Sequence, residues 1–238
     1  MNVVLLRVGI DTGCGGIHSP LYADGSFEFV PIPDDYAGDE RTYGNTTGRK
    51  GTPFAEYFYS PRKMAAMRDR SMHVDPEFET FTYGDPTSPK RGLANLEPGD
   101  LLVFYAGMEG WEEEVAPALY LAGYFRVKLA GWAADFSDRV IKKEFASNMH
   151  VRHPSVFAEQ KDSLILIKGD ATSRLFEKSH KLGERVRREN GTYWQMITPA
   201  MAKIFGKFGG IGSLQRSTPR WVDEGHTEMA EKFVLGLE

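Results

Sequence analysis

The chain has 238 residues, 41% apolar and 26% charged, with a formal charge of −4. That profile fits a folded protein and excludes both a wholly disordered chain and one that coats nucleic acid through bulk positive charge. No apolar run approaches the roughly 20 residues of a membrane span, a single cysteine excludes an internal disulfide and Cys-based zinc fingers, and 25 glycines with 13 prolines argue against a helical bundle.

The opening MNVVLLRVGID carries Arg7 and Asp11 but neither a basic leader nor a small-residue cleavage site. It therefore reads as a buried strand, Val3 to Asp11, rather than a signal peptide, and a cytoplasmic location is expected. TGCGGIHSP follows as a loop, and SFEFVPIP alternates like a strand until its prolines stop it. Residues 34–53 lack periodicity and read as a long surface loop, within an insertion at about 34–60. A short helix is predicted behind Pro61, then strands at 78–83, 101–105 and 119–127, with an acidic hairpin tip over Glu109–Glu114. DRVIKKEFASN reads as a helix that buries Val140, Ile141 and Phe145, and 164–168 as a further strand. SRLFEKSHKLGERVRREN reads as an amphipathic helix capped by Ser173, with Leu175, Phe176 and Leu182 near one face and Asn190-Gly191 ending it. ITPAMAKIFGKF reads as a second short helix. Strands with irregular intervening helices predict one α+β domain over 1–238: a curved, mainly antiparallel sheet or open barrel with flanking helices.

Charge is unevenly placed. Residues 1–160 hold 16 basic and 23 acidic side chains, 161–220 hold 12 and 5, and the remainder 1 and 5. A basic third within an acidic protein is what a local phosphate-facing surface looks like, and equally what a solvated face looks like.

Four constellations carry possible chemistry. GIDTGCGGIHSP follows a strand but lacks both Gly-Lys-Ser/Thr and the third glycine of a dinucleotide loop, which leaves a polar loop with Asp11, Thr12, Cys14 and His18. Asp11 and His18 are a candidate acid–base pair there; a turn that needs glycine is the structural alternative. His150 and His153 have metal-ligand spacing, but Pro154 and the lack of nearby Glu or Cys ligands disfavour a metal, and no metal ligand is assigned. Asn148 and His150 are read instead as hydrogen-bonders to a base or phosphate. Lys168-Gly169-Asp170 with Ser173-Arg174 places two cations at a helix N-terminus, which suits phosphate; an N-cap beside a solvated Arg is the plainer reading. GGIGSLQRSTPRW joins a Gly-rich loop to Arg216, Arg220 and Trp221, where the guanidinium groups suit phosphate and the indole suits base stacking or plugs the core.

The ordered strings LLRVGIDTGCGGIHSPLYADGSFEFVPIP, TYGD, LEPGDLLVFYAG, YLAGYFRV, IKGDATSRLF and QRSTPRW resemble the nucleotide modification associated domain family, type three, from Val4 to about Val222. That family is regarded as part of prokaryotic and phage systems for hypermodified bases. The Pro-Gly-Asp-Leu-Leu-Val-Phe-Tyr piece is also similar to the start of a strand in PUA-like and ASCH-like barrels that bind modified bases. The resemblance implies roles at Arg7, Asp11, His18, Asp85, Asn148, His150, Lys168, Ser173, Arg174, Arg216 and Arg220, with Asp11, His18 and Asp85 as the catalytic candidates. Expected is a protein that recognises bases in nucleic acid or nucleotides and is associated with DNA base modification, with an enzyme, a non-catalytic reader, and a nuclease or glycosylase using Asp11 and Asp85 left open. No cofactor, base, protein partner or membrane is specified.

Overall fold

A computed structural model describes residues 1–34, 40–215 and 218–237. In chain order its regular elements are β1 (Val3–Arg7), β2 (Ser19–Leu21), β3 (Ile32–Pro33), α1 (Pro61–Arg68), β4 (Met72–His73), β5 (Thr82–Asp85), β6 (Leu101–Gly110), β7 (Ala118–Trp132), α2 (Asp138–Glu144), α3 (Met149–Arg152), α4 (Pro154–Gln160), β8 (Ile165–Gly169), β9 (Arg174–Arg187), β10 (Tyr193–Ile197), α5 (Pro199–Phe205), β11 (Arg220–Trp221) and α6 (Thr227–Leu235).

Continuous apolar runs become strands covered on both faces. On β1 and β6 alternate residues divide between two cores: Val3, Leu5, Leu101, Val103 and Tyr105 in one, Val4, Leu6, Leu102 and Phe104 in the other. Phe205, Ala230 and Val234 of α5 and α6 close the first core. Leu93 and Leu96, with Ile165 and Ile167 of β8, close the second. Double-sided burial explains why these strands read as unbroken apolar strings rather than as alternations.

Nine strands form one sheet ordered β10-β9-β7-β6-β1-β11, with β2 on β6 and with β8 joining β7 to β5. β1 and β2 run parallel to β6, and the remaining pairings are antiparallel. The five strands expected to share a sheet do share it, although the first stops at Arg7 and the second starts only at Thr82. β7 is the spine: its first half lies between β6 and β9, and its second half pairs β8. The architecture is α+β and the sheet is not closed into a barrel.

The expected amphipathic helix after Ser173 is instead the 14-residue strand β9, hairpinned to β10. Register shifts against β7 near Tyr120 and Gly123 break the two-residue alternation along β9. Phe176 and Leu182 face inward while Lys178 between them, on the same parity, is exposed; it is Leu175 and Leu182, seven residues apart, that imitate a helix face. Asn190-Gly191 is the hairpin turn and not a helix stop, with the Arg188 amide donating to Thr192 O at 2.8 Å. SFEFVPIP is also less regular than its alternation predicts: only Ile32–Pro33 forms a named strand, and Ser26 and Phe27 make isolated bridges.

Ser60, Ser137 and Thr198 cap α1, α2 and α5, each side chain accepting an N–H three residues on. Ile141 and Phe145 of the α2 region pack on Leu164 and Leu166 as the sequence spacing predicts. Residues 40–60 are irregular but not merely superficial, since Tyr43, Phe54, Tyr57 and Phe58 build their own core with Ile10, Ile17 and Met72. Buried Glu28 anchors them by accepting the Arg49 and Lys50 amides at 2.8 Å each. Hydrogen bonds to a charged group contribute about 1.5–3 kcal/mol each.

Candidate functional site

A cavity of about 440 Å³ opens where the C-terminal ends of β1 and β5 meet β3, β4 and α3. After Arg7 the chain turns at Gly9, whose φ of +75° and closeness to the Phe29 ring (3.0 Å for an added Cβ) demand glycine. The turn delivers Asp11 back toward Arg7, and the two side chains pair at 3.1 Å. Asp11 Oδ1 also accepts the amides of Gly13 at 2.8 Å and Cys14 at 3.1 Å. Burial raises the Asp11 carboxyl, but the Arg7 charge and these amides outweigh it and hold the group below its ordinary value.

β5 brings in the opposite wall. Asp85 Oδ2 accepts the Tyr83 hydroxyl at 3.0 Å and the Lys90 ammonium at 3.1 Å. Its Oδ1 accepts the Thr87 amide at 2.7 Å and the Thr87 hydroxyl. Lys90 comes from the 3-10 segment Ser88–Asn95 and is only 10% exposed along its side chain.

The floor is built of His73, Asp75 and His150. Asp75 Oδ2 accepts the Gly84 amide at 2.8 Å and lies 3.5 Å from His150 Nε2. The two imidazoles meet edge to face at 4.9 Å between centroids. Burial pushes the Asp75 carboxyl well above its ordinary value and pushes both histidines down, His73 to about 4 with the help of its neighbour His150. Among the described residues this is the group of three or more His, Cys, Asp or Glu residues whose ligand atoms gather within 4.8 Å. The arrangement offers two cations, each paired to a carboxylate, and neutral imidazoles around one space, a set of donors and acceptors that suits a polar, hydrogen-bonding ligand.

Of the sequence-predicted residues, Arg7, Asp11, Asp85 and His150 line this cavity together. Asn148 supports it: buried, it caps α3 by accepting the His150 amide at 3.1 Å. His18 is paired with Glu109 at 3.1 Å rather than with Asp11. An added Cβ at Gly107 would lie 2.9 Å from His18 Cδ2 and 3.9 Å from Arg7 Nη2, so both side chains pass over that glycine. His150 and His153 do not act as a pair, because His153 lines a separate hollow with Glu77 and Arg152.

The expected phosphate site at a helix N-terminus does not exist, because no helix starts there. Lys168 donates its ammonium to the Thr80 carbonyl. Ser173 is buried and accepts the Arg126 amide at 3.1 Å. Arg174 lies exposed on β9, 6.0 Å from the Tyr124 ring centroid. Arg220 and Trp221 form β11 at the sheet edge against β1, with Trp221 37% exposed and within 3.6 Å of an added Cβ at Gly92. Arg216 lies outside the described residues.

Sequence reasoning missed His73, Asp75, Tyr83 and Lys90. A signal was present for two of them: His73-Val74-Asp75 before Pro76 is a compact pair of potential ligands at a chain turn.

The family model for nucleotide modification associated domain 3 matches residues 2–232. The chain belongs to that family. No curated protein and no solved structure matches it. The nucleotide modification associated domain 3 match spans β1 through most of α6, so it includes every wall of the cavity. No helix among the described residues is long and apolar enough to cross a membrane.

Proposed function

We propose that this protein recognises a base in nucleic acid or in a nucleotide, as part of DNA base modification, and that the cavity beside Arg7 is where it does so. The observation that carries the reading is the convergence of Arg7 and Lys90, each held by a carboxylate, on one cavity in a family associated with nucleotide modification. Its volume lies in the range of small-molecule sites, roughly 300–1,000 Å³. The cations suit phosphate, while Asp85, Tyr83 and His150 offer donors and acceptors to a base edge. In the catalytic form of the reading, Asp11 and Asp85 carry proton transfer, and His18 with Glu109 supports Arg7 across Gly107. The PUA-like comparison rests on the Pro98-Gly99-Asp100 turn into β6.

A polymer rather than a free nucleotide is favoured by the β9–β10 hairpin. There the Arg185 guanidinium lies 4.2 Å from the Tyr193 ring centroid and Arg188 lies 4.1 Å from that of Trp194. Exposed arginines interleaved with aromatics suit a phosphate backbone and stacked bases.

Calorimetric titration with nucleoside monophosphates and short single-stranded oligonucleotides tests the cavity. Wild type should bind, and Lys90→Met and Arg7→Met should each weaken binding by at least about tenfold, the equivalent of one lost charge-assisted bond. Binding no tighter than that of inorganic phosphate, or equal binding by both variants, would sink the reading. Mass spectrometry of an oligonucleotide before and after incubation separates enzyme from reader: a changed mass means chemistry, while an unchanged mass with tight binding means a reader.

A further inference from the structure

We propose that His73, Asp75 and His150 form a binding site for a divalent first-row transition-metal ion, open to the cavity. This goes beyond the nucleotide reading and does not depend on it.

Geometry carries the proposal. The candidate ligand atoms lie within 4.8 Å of one another, and Asp75 Oδ2 to His150 Nε2 is 3.5 Å. Two ligands each about 2.0–2.2 Å from a tetrahedral ion lie about 3.3–3.6 Å apart, so this edge already has the required length. The hydrogen-bond pattern points the same way. His150 Nδ1 lies 2.7 Å from Gln160 Oε1, an acceptor, so a proton on Nδ1 makes that bond and leaves Nε2, 3.5 Å from Asp75 Oδ2, to act as a ligand. Fixing the outer nitrogen of an imidazole in this way is how metal-binding histidines are oriented.

Asp75 adds the independent observation. Its side chain is 1% exposed, one oxygen takes the Gly84 amide, and the other, Oδ1, is buried with no hydrogen-bond partner. An imidazole nitrogen facing a buried carboxylate with an unbonded oxygen is an arrangement that a cation between them satisfies. Packing holds the pair in place, since an added Cβ at Gly84 would come 2.9 Å from His150 Cδ2 and 3.0 Å from Asn148 Oδ1. Asp34 Oδ2 lies 3.9 Å from His73 Nδ1 and supplies further negative charge.

Two imidazoles and one carboxylate suit iron(II), manganese(II), cobalt(II) or zinc(II) better than magnesium or calcium, which prefer oxygen. Structural zinc sites use four protein ligands, whereas three ligands facing a cavity leave positions for water or a bound molecule. The proposed ion would therefore face the same space as Arg7 and Lys90.

The test uses the full chain, stripped with chelator and titrated with cobalt(II), read by visible absorption and calorimetry. Expected are one cobalt(II) per chain, displacement by zinc(II), and at least about a 100-fold loss of affinity in Asp75→Asn and in His150→Gln, more than changes to residues that only hydrogen-bond a ligand commonly produce. Asp75→Asn keeps an acceptor for the Gly84 amide, and its thermal unfolding checks that it folds. His73→Gln, at the more exposed ligand, provides a second reading if the buried variants unfold. Glu184→Gln, on β9 and not lining the cavity, should bind cobalt(II) like wild type. No stoichiometric cobalt(II) binding by wild type would overturn the proposal and leave Asp75 and His150 sharing a proton; binding unchanged in folded ligand variants would overturn it as well. Nucleotide binding by the chelator-treated chain is measured separately, so loss of one reading does not remove the other.

Discussion

The Arg7 guanidinium and the Asp11 carboxylate meet at 3.1 Å across the turn that ends β1, with the Gly13 and Cys14 amides on the other carboxylate oxygen. Because Asp11 has a lowered pKa when folded, its contribution to stability is complete above the unfolded carboxylate pKa and is lost as pH falls through the folded one. Urea unfolding should therefore place Asp11→Asn below wild type at pH 7, by about 1 kcal/mol or less for a partly solvated pair. The gap should narrow as pH falls below the unfolded carboxylate pKa of about 3.9 and close once it passes the lower, folded value. A gap that persists unchanged at low pH would show that the carboxylate charge plays no part.

Gly183 tests the strand assignment of β9. A Cβ there would lie 2.7 Å from Leu214 Cδ1 and 2.8 Å from the Met196 carbonyl oxygen, which is backbone and yields little. Gly183→Ala should cost about 1–3 kcal/mol by overpacking. In a helix the same change would stabilise by up to about 1 kcal/mol, so the sign of the shift in a chemical melt decides between the two.

The basic hairpin should carry backbone contacts. Arg185→Ala and Arg188→Ala should each weaken oligonucleotide binding similarly across sequences and reduce the salt slope by about 0.7 per lost contact with single strands. Lys168→Ala should leave that slope unchanged, since its ammonium is engaged by Thr80 O within the fold. A lowered slope for Lys168→Ala and none for the two arginines would move the phosphate surface back to β8.

His18 and Glu109, partly exposed at 3.1 Å, should couple weakly. A double-mutant cycle with His18→Ala and Glu109→Gln should give about 0.2–1 kcal/mol, the range for solvated ion pairs. A value several times larger would make the pair a structural element of the β2–β6 junction.

Much of the sheet was legible because burial on both faces demands unbroken apolar strings. Val3–Leu6, Leu101–Tyr105, Leu119–Leu121 and Ile165–Ile167 identify themselves without their neighbours. The cap read from the sequence, Ser173, heads no helix, whereas the caps that form at Ser60, Ser137 and Thr198 went unread although each bonds only three residues along. β9 was not legible, because its bulges against β7 expose Lys178 and break the alternation while Leu175 and Leu182, seven residues apart, fit a helix face; only pairing with a distant strand selects the extended form.

The candidate site divides in the same way. Arg7, Asp11, Asp85 and His150 stood out as polar residues at the ends of apolar strings or in recognisable motifs, and the resemblance to the nucleotide modification associated domain family, which the family model bears out, was carried by ordered motifs along the chain. Tertiary structure decided their partners: Arg7 for Asp11, Lys90 for Asp85, Glu109 for His18, and Asp75 for His150. The last two pairings join segments far apart in the chain, and contacts of that kind are set by how β5, β6 and α3 pack around the cavity rather than by any spacing along the chain.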